Sequence, residues 1–240
     1  AADVVFHQAA QAGVRASWGT TFETYTRCNF TATPRLLEAA KGSKVRRFVY
    51  ASSSSIYGDT TDLPMRETSR PRPFSPYGVT KLAAEHLVDL YGQNFGVSVV
   101  SLRYFTVYGP RQRPDMGFHR FIARLLRGEA LPVYGTGEQT RDFTYVDDIV
   151  EANMLALKDG VEGVYNIGGG SRAPLSDVLA TMARVAGREL RIDRQPEQPG
   201  DVQHTHADTT LAREKLGYAP RVSLEEGLRR QVEFQAARRA

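Results

Sequence analysis

Tyr77 and Lys81 stand four residues apart in Ser75-Pro76-Tyr77-Gly78-Val79-Thr80-Lys81. Pro76 suits the first turn of a helix, so the spacing predicts that both side chains share one helical face. A phenol with a pKa near 10 is a poor base at neutral pH. Lowering it by about 3 units takes roughly 4 kcal/mol of preferential stabilisation of the phenolate, much of which a fixed ammonium can supply. The pair is therefore chemistry for taking a proton from a hydroxyl, although the same spacing also occurs on ordinary surface helices.

Upstream, Phe48-Val49-Tyr50-Ala51 runs into Ser52-Ser53-Ser54-Ser55-Ile56-Tyr57-Gly58. The first four residues read as a buried strand, so hydroxyls cluster at its carboxyl end, the edge where open α/β sheets bind ligands. A Ser-rich turn bonding only its own backbone is the plainer alternative. The cluster and the Tyr/Lys helix together favour a site.

The elements that must position these groups alternate along the first half of the chain. Val4 to Phe6, Val45 to Ala51 and Val97 to Tyr104 read as strands, separated by helices through Leu36-Leu37 and after Pro76, the latter ending near Gly96. That alternation predicts βαβ units and a parallel sheet covered on both faces. After Tyr104 glycine and proline punctuate shorter elements. Helices are expected at Phe118 to Arg127, Val146 to Leu157, Ser176 to Ala186, Asp208 to Leu216 and from Leu224, the last opened by the capping box Ser223-Leu224-Glu225-Glu226.

The 240 residues are 41% hydrophobic and 24% charged, a globular balance that excludes a disordered tail, a collagen or a coiled coil. Lys plus Arg at 31 against Asp plus Glu at 27 leaves +4, scattered along the chain, a weak field for nucleic acid. The excess arginine suits an anionic small ligand where position supports it. One cysteine, Cys28, excludes an internal disulfide and suits a reducing cytoplasm. No apolar run approaches the ~18 residues of a membrane span, and no secretion signal opens the chain. A soluble cytoplasmic protein is the expectation.

With these motifs the whole chain resembles the extended short-chain dehydrogenase/reductase family, in its nucleotide-sugar epimerase and dehydratase branch. The resemblance implies an α/β fold: a Rossmann-type parallel sheet that binds NAD, and a smaller α/β region that binds a nucleoside-diphosphate sugar. Residues 1–105 would be part of the first, and 106–240 mainly the second, with some segments returning to the Rossmann sheet. Tyr77 would be the general base, Lys81 would lower its pKa and hold the nicotinamide ribose, and Ser53 would bond the reacting sugar hydroxyl. Ala9, Ala10 and Gln11, in the segment passing under the cofactor, would contact NAD, with Asn29, Ser52 and Phe105. His7, just before them, reads as structural. Ser54, Ser55, Thr106, Gly117, Phe118, Val133, Tyr134, Arg141, Gln198 and Asp201 would meet the substrate.

Tyr108-Gly109-Pro110-Arg111-Gln112-Arg113-Pro114-Asp115-Met116 is similar to the loop of uronate-type 4-epimerases, where Arg113 with Thr106 would meet a C6 carboxylate. A planar guanidinium can bind a carboxylate in two-pronged fashion, whatever the family. Gln198 departs from the Arg that galactose-type relatives often carry. The implied activity is 4-epimerisation of a UDP-sugar by transient oxidation at C4, UDP-glucuronate first and UDP-glucose next. A dehydratase or decarboxylase of the same family fits less well. The resemblance also implies a homodimer through the helices around Leu36 and Lys81.

A complete dinucleotide-binding domain opens with strand, Gly-rich turn and helix, and neither Gly-x-Gly-x-x-Gly nor Gly-x-x-Gly-x-x-Gly precedes Val4. At about 30 residues per βαβ unit, roughly 70 residues of such a domain are expected upstream. This leaves a second reading, a non-catalytic nucleotide-sugar-binding protein. Three further features are set aside. Gly168-Gly169-Gly170 reads as a turn between strand and helix. His204 and His206 fall two apart on an expected strand with no third metal ligand, so no metal is expected. Asp147-Asp148 reads as a helix-start cap, and Arg229, Arg230, Arg238 and Arg239 as a solvated helix face.

Overall fold

The structure, a computed structural model, describes residues 2–238. In the first half, β1 (Val4–His7), a helical run comprising α1 (Phe22–Tyr25), a π-helical turn (Thr26–Thr31) and α2 (Ala32–Ala40), and β2 (Arg47–Ser53) follow in order. Then come α3 (Pro76–Phe95), β3 (Val99–Tyr104) and β4 (Val107–Tyr108). The second half holds α4 (Gly117–Arg127), β5 (Leu131–Tyr134), β6 (Thr140–Tyr145), α5 (Val146–Leu155) and β7 (Gly163–Ile167). It closes with β8 (Ser171–Pro174), α6 (Leu175–Ala186), β9 (Ile192–Gln195), α7 (Thr210–Leu216) and α8 (Leu224–Ala237).

Four strands form a parallel sheet in the order β1-β2-β3-β7. β7 comes from the second half, so that half contributes to the first sheet. Every residue of β2 is buried, because both faces of the strand are covered. Phe48 and Tyr50 point to Leu37, Ala40, Ala84 and Val88 of α2 and α3. Val49, on the alternate face, packs with Ile149 and Ala152 of α5 and Leu216 of α7. Parallel pairing brings the carboxyl ends of β1, β2 and β3 to one edge, with Ser53 opposite Tyr104.

α3 starts and stops where its sequence dictates. Ser75 accepts a hydrogen bond from the Gly78 N–H at 3.2 Å, Pro76 occupies the first turn, and Gly96 closes the helix at φ 66°, a conformation that favours glycine. The Ser223 cap of α8 has the expected form, accepting from the Glu226 N–H at 3.3 Å.

The remaining strands form a β4-β6-β8 sheet and a β5-β9 pair, packed with α4, α6 and α8 around Tyr108, Phe118, Phe143 and Met182. Gly168–Gly170 turns from β7 into β8, a strand rather than the helix expected. A Cβ on Gly169 would stand 2.0 Å from the Phe143 carbonyl oxygen, so only glycine fits this crossing. His204 and His206 lie outside any strand. His204 makes an isolated bridge to Thr140, whose hydroxyl is 2.9 Å from its ring nitrogen. Asp148 does not cap its own helix: its carboxylate accepts the Arg221 and Val222 N–H groups, tying α5 to the segment before α8. On α8, Arg229 and Arg230 pair with Glu226; Arg239 lies outside the described residues.

Candidate active site

Tyr77 sits half-buried in the first turn of α3, hydrogen-bonded to Ser53 at the end of β2. Ser53 also caps the turn that follows, accepting from the Ser55 N–H at 3.1 Å. Burial pushes the Tyr77 phenol above its ordinary pKa; the Ser53 hydrogen bond and the Arg113 charge pull against that rise, and Tyr25 adds to it. The Tyr25 ring meets Tyr77 edge-on at 6.3 Å. Its hydroxyl donates to the Gly13 carbonyl at 2.8 Å, in the loop after β1.

Lys81 is one turn further along α3 and only 4% exposed. Its ammonium donates to the Ala51 carbonyl at 2.6 Å and lies 5.0 Å from the centre of the Tyr50 ring. Burial alone brings its pKa down to about 8. Lys81 is thus turned to the end of β2, and the positive charge that acts on the phenol in this arrangement is that of Arg113.

Asn29 clasps the backbone of Gln11. Its side-chain carbonyl accepts the Gln11 N–H at 2.7 Å, and its amide donates to the Gln11 carbonyl at 2.9 Å and the Thr80 hydroxyl at 3.0 Å. The π-helical turn Thr26–Thr31 carries Asn29, an irregularity often found at functional sites. Ala9 and Ala10 lead from β1 into this loop with short side chains, leaving the backbone accessible.

Further along this loop, residues 13–16 border a cavity of about 440 Å³ lined in part by Thr106, Met116, Gly117, Tyr134, Arg141 and Asp201. An adjoining recess of about 180 Å³ shares Thr106, Arg141 and Asp201 and reaches Ser54 and Ser55. The cavity falls in the size range of small-molecule sites. Arg15 closes one side, paired with Asp201 at 2.6 Å and lying 4.2 Å over the Tyr134 ring. Nothing in its local sequence singled Arg15 out; its partners are far away in the chain.

Several expected contacts are placed differently. The Ser52 hydroxyl faces the core, donating to the Glu85 carboxylate at 2.5 Å, so any cofactor contact there is left to its backbone. Phe105 is fully buried with Ile56, Tyr57 and Met65, beneath the site rather than at its surface. Val133 points into the core because β5 alternates, and Tyr134 faces the cavity instead. Most of Phe118 packs on Tyr108 and Phe143, only its edge reaching the cavity. Arg141 spends hydrogen bonds on the carbonyls of Thr140, Val202 and Gln203, at 2.5 to 3.1 Å. It thereby pins that loop to β6 before it can bind any phosphate. Gln198 is half-buried, and its amide donates to the Pro196 carbonyl at 3.4 Å.

Behind the site runs a buried network that the sequence did not single out. Arg103 and Glu85 form a two-pronged ion pair, at 2.6 and 3.1 Å, and Arg103 also donates to the Tyr57 hydroxyl at 2.7 Å. Tyr57 donates onward to Asn166 at 2.7 Å. The network fixes the end of β2 against α3, and so the spacing between Ser53 and Tyr77. Among the described residues no cluster of His, Cys, Asp and Glu could hold a metal ion, and no helix is long and apolar enough to cross a membrane.

A sequence profile of the NAD dependent epimerase/dehydratase family matches residues 1–168. The chain is 43% identical over 234 residues to a Bacillus subtilis protein named as an uncharacterized UDP-glucose epimerase, covering 97% of this chain and 74% of the relative. It is 37% identical over 231 residues to a UDP-glucuronate 4-epimerase of Thermodesulfobacterium geofontis, covering 96% and 71%. Among solved structures, the UDP-glucuronic acid 4-epimerase of Bacillus cereus in complex with UDP-glucuronic acid and NAD superposes with a TM-score of 0.94 at 43% identity, covering 98% of this chain and 76% of that one. The UDP-glucose 4-epimerase of Thermotoga maritima with UDP-glucose gives 0.95 at 36%, covering 99% and 78%.

Proposed function

The chain belongs to the NAD-dependent epimerase/dehydratase family, and from that premise we propose that it interconverts UDP-glucuronate and UDP-galacturonate by transient oxidation at C4. The observation that carries the reading is the meeting of Tyr77, Ser53 and the charge of Arg113 at the end of β2. A base, a hydroxyl that can share its proton, and a cation suited to a C6 carboxylate lie close enough to act on one another.

The residues at the sheet edge fit the nicotinamide-ribose end of the cofactor. Lys81 has a buried ammonium with one N–H given to Ala51, leaving donors for ribose hydroxyls. The Gln11 peptide held by Asn29, with Ala9 and Ala10 before it, offers backbone at close approach. When bound, NAD supplies a hydride acceptor for C4 and gives the hydride back.

In its deprotonated form, which burial opposes and the Ser53 hydrogen bond and Arg113 charge favour, Tyr77 takes the proton from the C4 hydroxyl while the C4 hydrogen departs as hydride, leaving a C4 ketone. Ser53 bonds the same oxygen and holds it at the phenol. The 4-keto sugar turns in the cavity, receives hydride on its opposite face, and Tyr77 returns the proton to the oxygen. Arg113 and Thr106 hold the carboxylate, and Arg141 and Asp201 shape the loop around the diphosphate. UDP-glucose is the second substrate reading, supported by relatives named for that activity.

Two variants test the assignment. Tyr77→Phe should remove nearly all interconversion, by a factor of at least about 10² as expected for loss of a general base. Arg113→Ala should raise KM for UDP-glucuronate while leaving KM for UDP-glucose nearly untouched; equal effects on both sugars would overturn the carboxylate role. The same reading places the enzyme in the cytoplasm as a homodimer packed through α2 and α3, where Leu36, Leu90 and Phe95 are 41%, 50% and 52% exposed.

A further inference from the structure

Asp115 follows Arg113 by two residues in the loop before α4, and its carboxylate takes both prongs of the guanidinium. Nε donates to Oδ1 at 3.0 Å, and a terminal NH₂ donates to Oδ2 at 2.6 Å. This is the geometry a C6 carboxylate would adopt on the same side chain. The NH₂ group is further hemmed by the Ala12 carbonyl at 3.4 Å and the Met116 sulfur at 3.9 Å. The pair is exposed, at 43% and 64% of the two side chains, so solvent screens it and it is easily exchanged.

We infer that Asp115 is an internal stand-in for the substrate carboxylate: it occupies the Arg113 fork in the resting site and must be displaced before a uronate can bind there. The inference rests on the carboxylate role proposed for Arg113. Displacement has somewhere to go. Arg120, in the first turn of α4, already acts on Asp115 and lines the same cavity, so the carboxylate can swing to it without being left bare. The helix N-terminus beside it favours negative charge in either position.

The consequence is a penalty that falls on uronates alone, through exchange of like for like. A sugar with a carboxylate replaces the Asp115 contact with its own. A sugar with a neutral CH₂OH at C6 has no charge to offer, so Arg113 remains with Asp115. The resting pair keeps the fork ordered and pointed, and every uronate that binds must compete with it.

The test is calorimetric binding of UDP-glucuronate and UDP-glucose to the wild-type protein, Asp115→Asn and Arg113→Ala. Asparagine keeps the size of the side chain and removes the competing charge. Binding of UDP-glucuronate to Asp115→Asn should tighten by up to about fivefold, from the worth of an exposed two-pronged pair, and the ratio of its affinity to that of UDP-glucose should rise by the same factor. Weaker or unchanged uronate binding in Asp115→Asn would overturn the inference, because Asp115 would then be aiming Arg113 rather than competing for it. If Arg113→Ala also leaves uronate binding unchanged, the carboxylate role itself fails; if it abolishes the preference while Asp115→Asn gains nothing, only the stand-in is wrong.

Discussion

Replacing Lys81 with methionine should make the folded chain more stable at neutral pH while removing turnover. Lys81 is 4% exposed, and burial brings its pKa from 10.5 to about 8, a drop of about 2.5 units and thus about 3 kcal/mol of cost to holding the ammonium in place. Methionine fills the same channel without a charge but gives up the 2.6 Å hydrogen bond from the ammonium to Ala51, worth about 2 kcal/mol for a charged donor. The net gain is about 1 kcal/mol at pH 7, a rise in Tm of roughly 2–4 °C for a chain of this size. The sign follows from linkage: with the folded pKa below the unfolded one, the penalty is full below about pH 8 and fades as pH rises toward 10.5. Urea unfolding of both proteins at matched pH values from 7 to 10 reads the gap directly. It should narrow steadily with pH. A gap independent of pH, or a variant less stable than wild type at pH 7, would refute the claim that the site retains a charge at the expense of stability.

Three other outcomes follow from the surroundings of the site. Glu85→Gln leaves Arg103 charged and buried without its counter-ion, so unfolding free energy should fall by about 3–5 kcal/mol, and a second change, Arg103→Met, should recover part of it in denaturant titrations. Burial, with the Lys81 charge, lowers His7 to about 4, so the wild-type chain should lose stability between about pH 6.5 and 4, by up to about 3 kcal/mol. His7→Gln should lack that share of the acid slope, as urea midpoints at pH 7.5 and 4.5 would record. Asn29→Ala frees the Gln11 peptide and should weaken NAD binding about tenfold by fluorescence titration, with UDP-sugar affinity moving less.

The parts of the site legible in the sequence are those whose partners are close along the chain. Tyr77 and its helix follow from Ser75 and Pro76, and Ser53 from the run of serines at the end of a buried strand. Residues placed by register were harder to read. Whether Ser52 or Ser53 faces the site depends on which way β2 is pleated, and that is decided by Glu85 and Arg103, which come from α3 and β3. The same alternation turned Val133 inward and Tyr134 outward on β5. Phe105 and Phe118 were read as contacts because aromatic side chains serve both cores and ligands, and only packing against Tyr57 or Phe143 distinguishes the two. Arg141 illustrates a third limit: its partners are backbone carbonyls, in part of residues 202 and 203, which no side-chain pattern announces. Arg15 and Asp201, joined across most of the chain, were invisible as a pair for the same reason.

The most direct measurement of the central claim follows UDP-glucuronate with the protein and NAD in deuterated water by proton NMR. Oxidation and return of the same hydride at C4 should produce UDP-galacturonate that keeps its C4 proton, and Tyr77→Phe should produce none. Deuterium at C4 or C5 of the product, or unaltered conversion by Tyr77→Phe, would contradict hydride return at C4 with Tyr77 as the base.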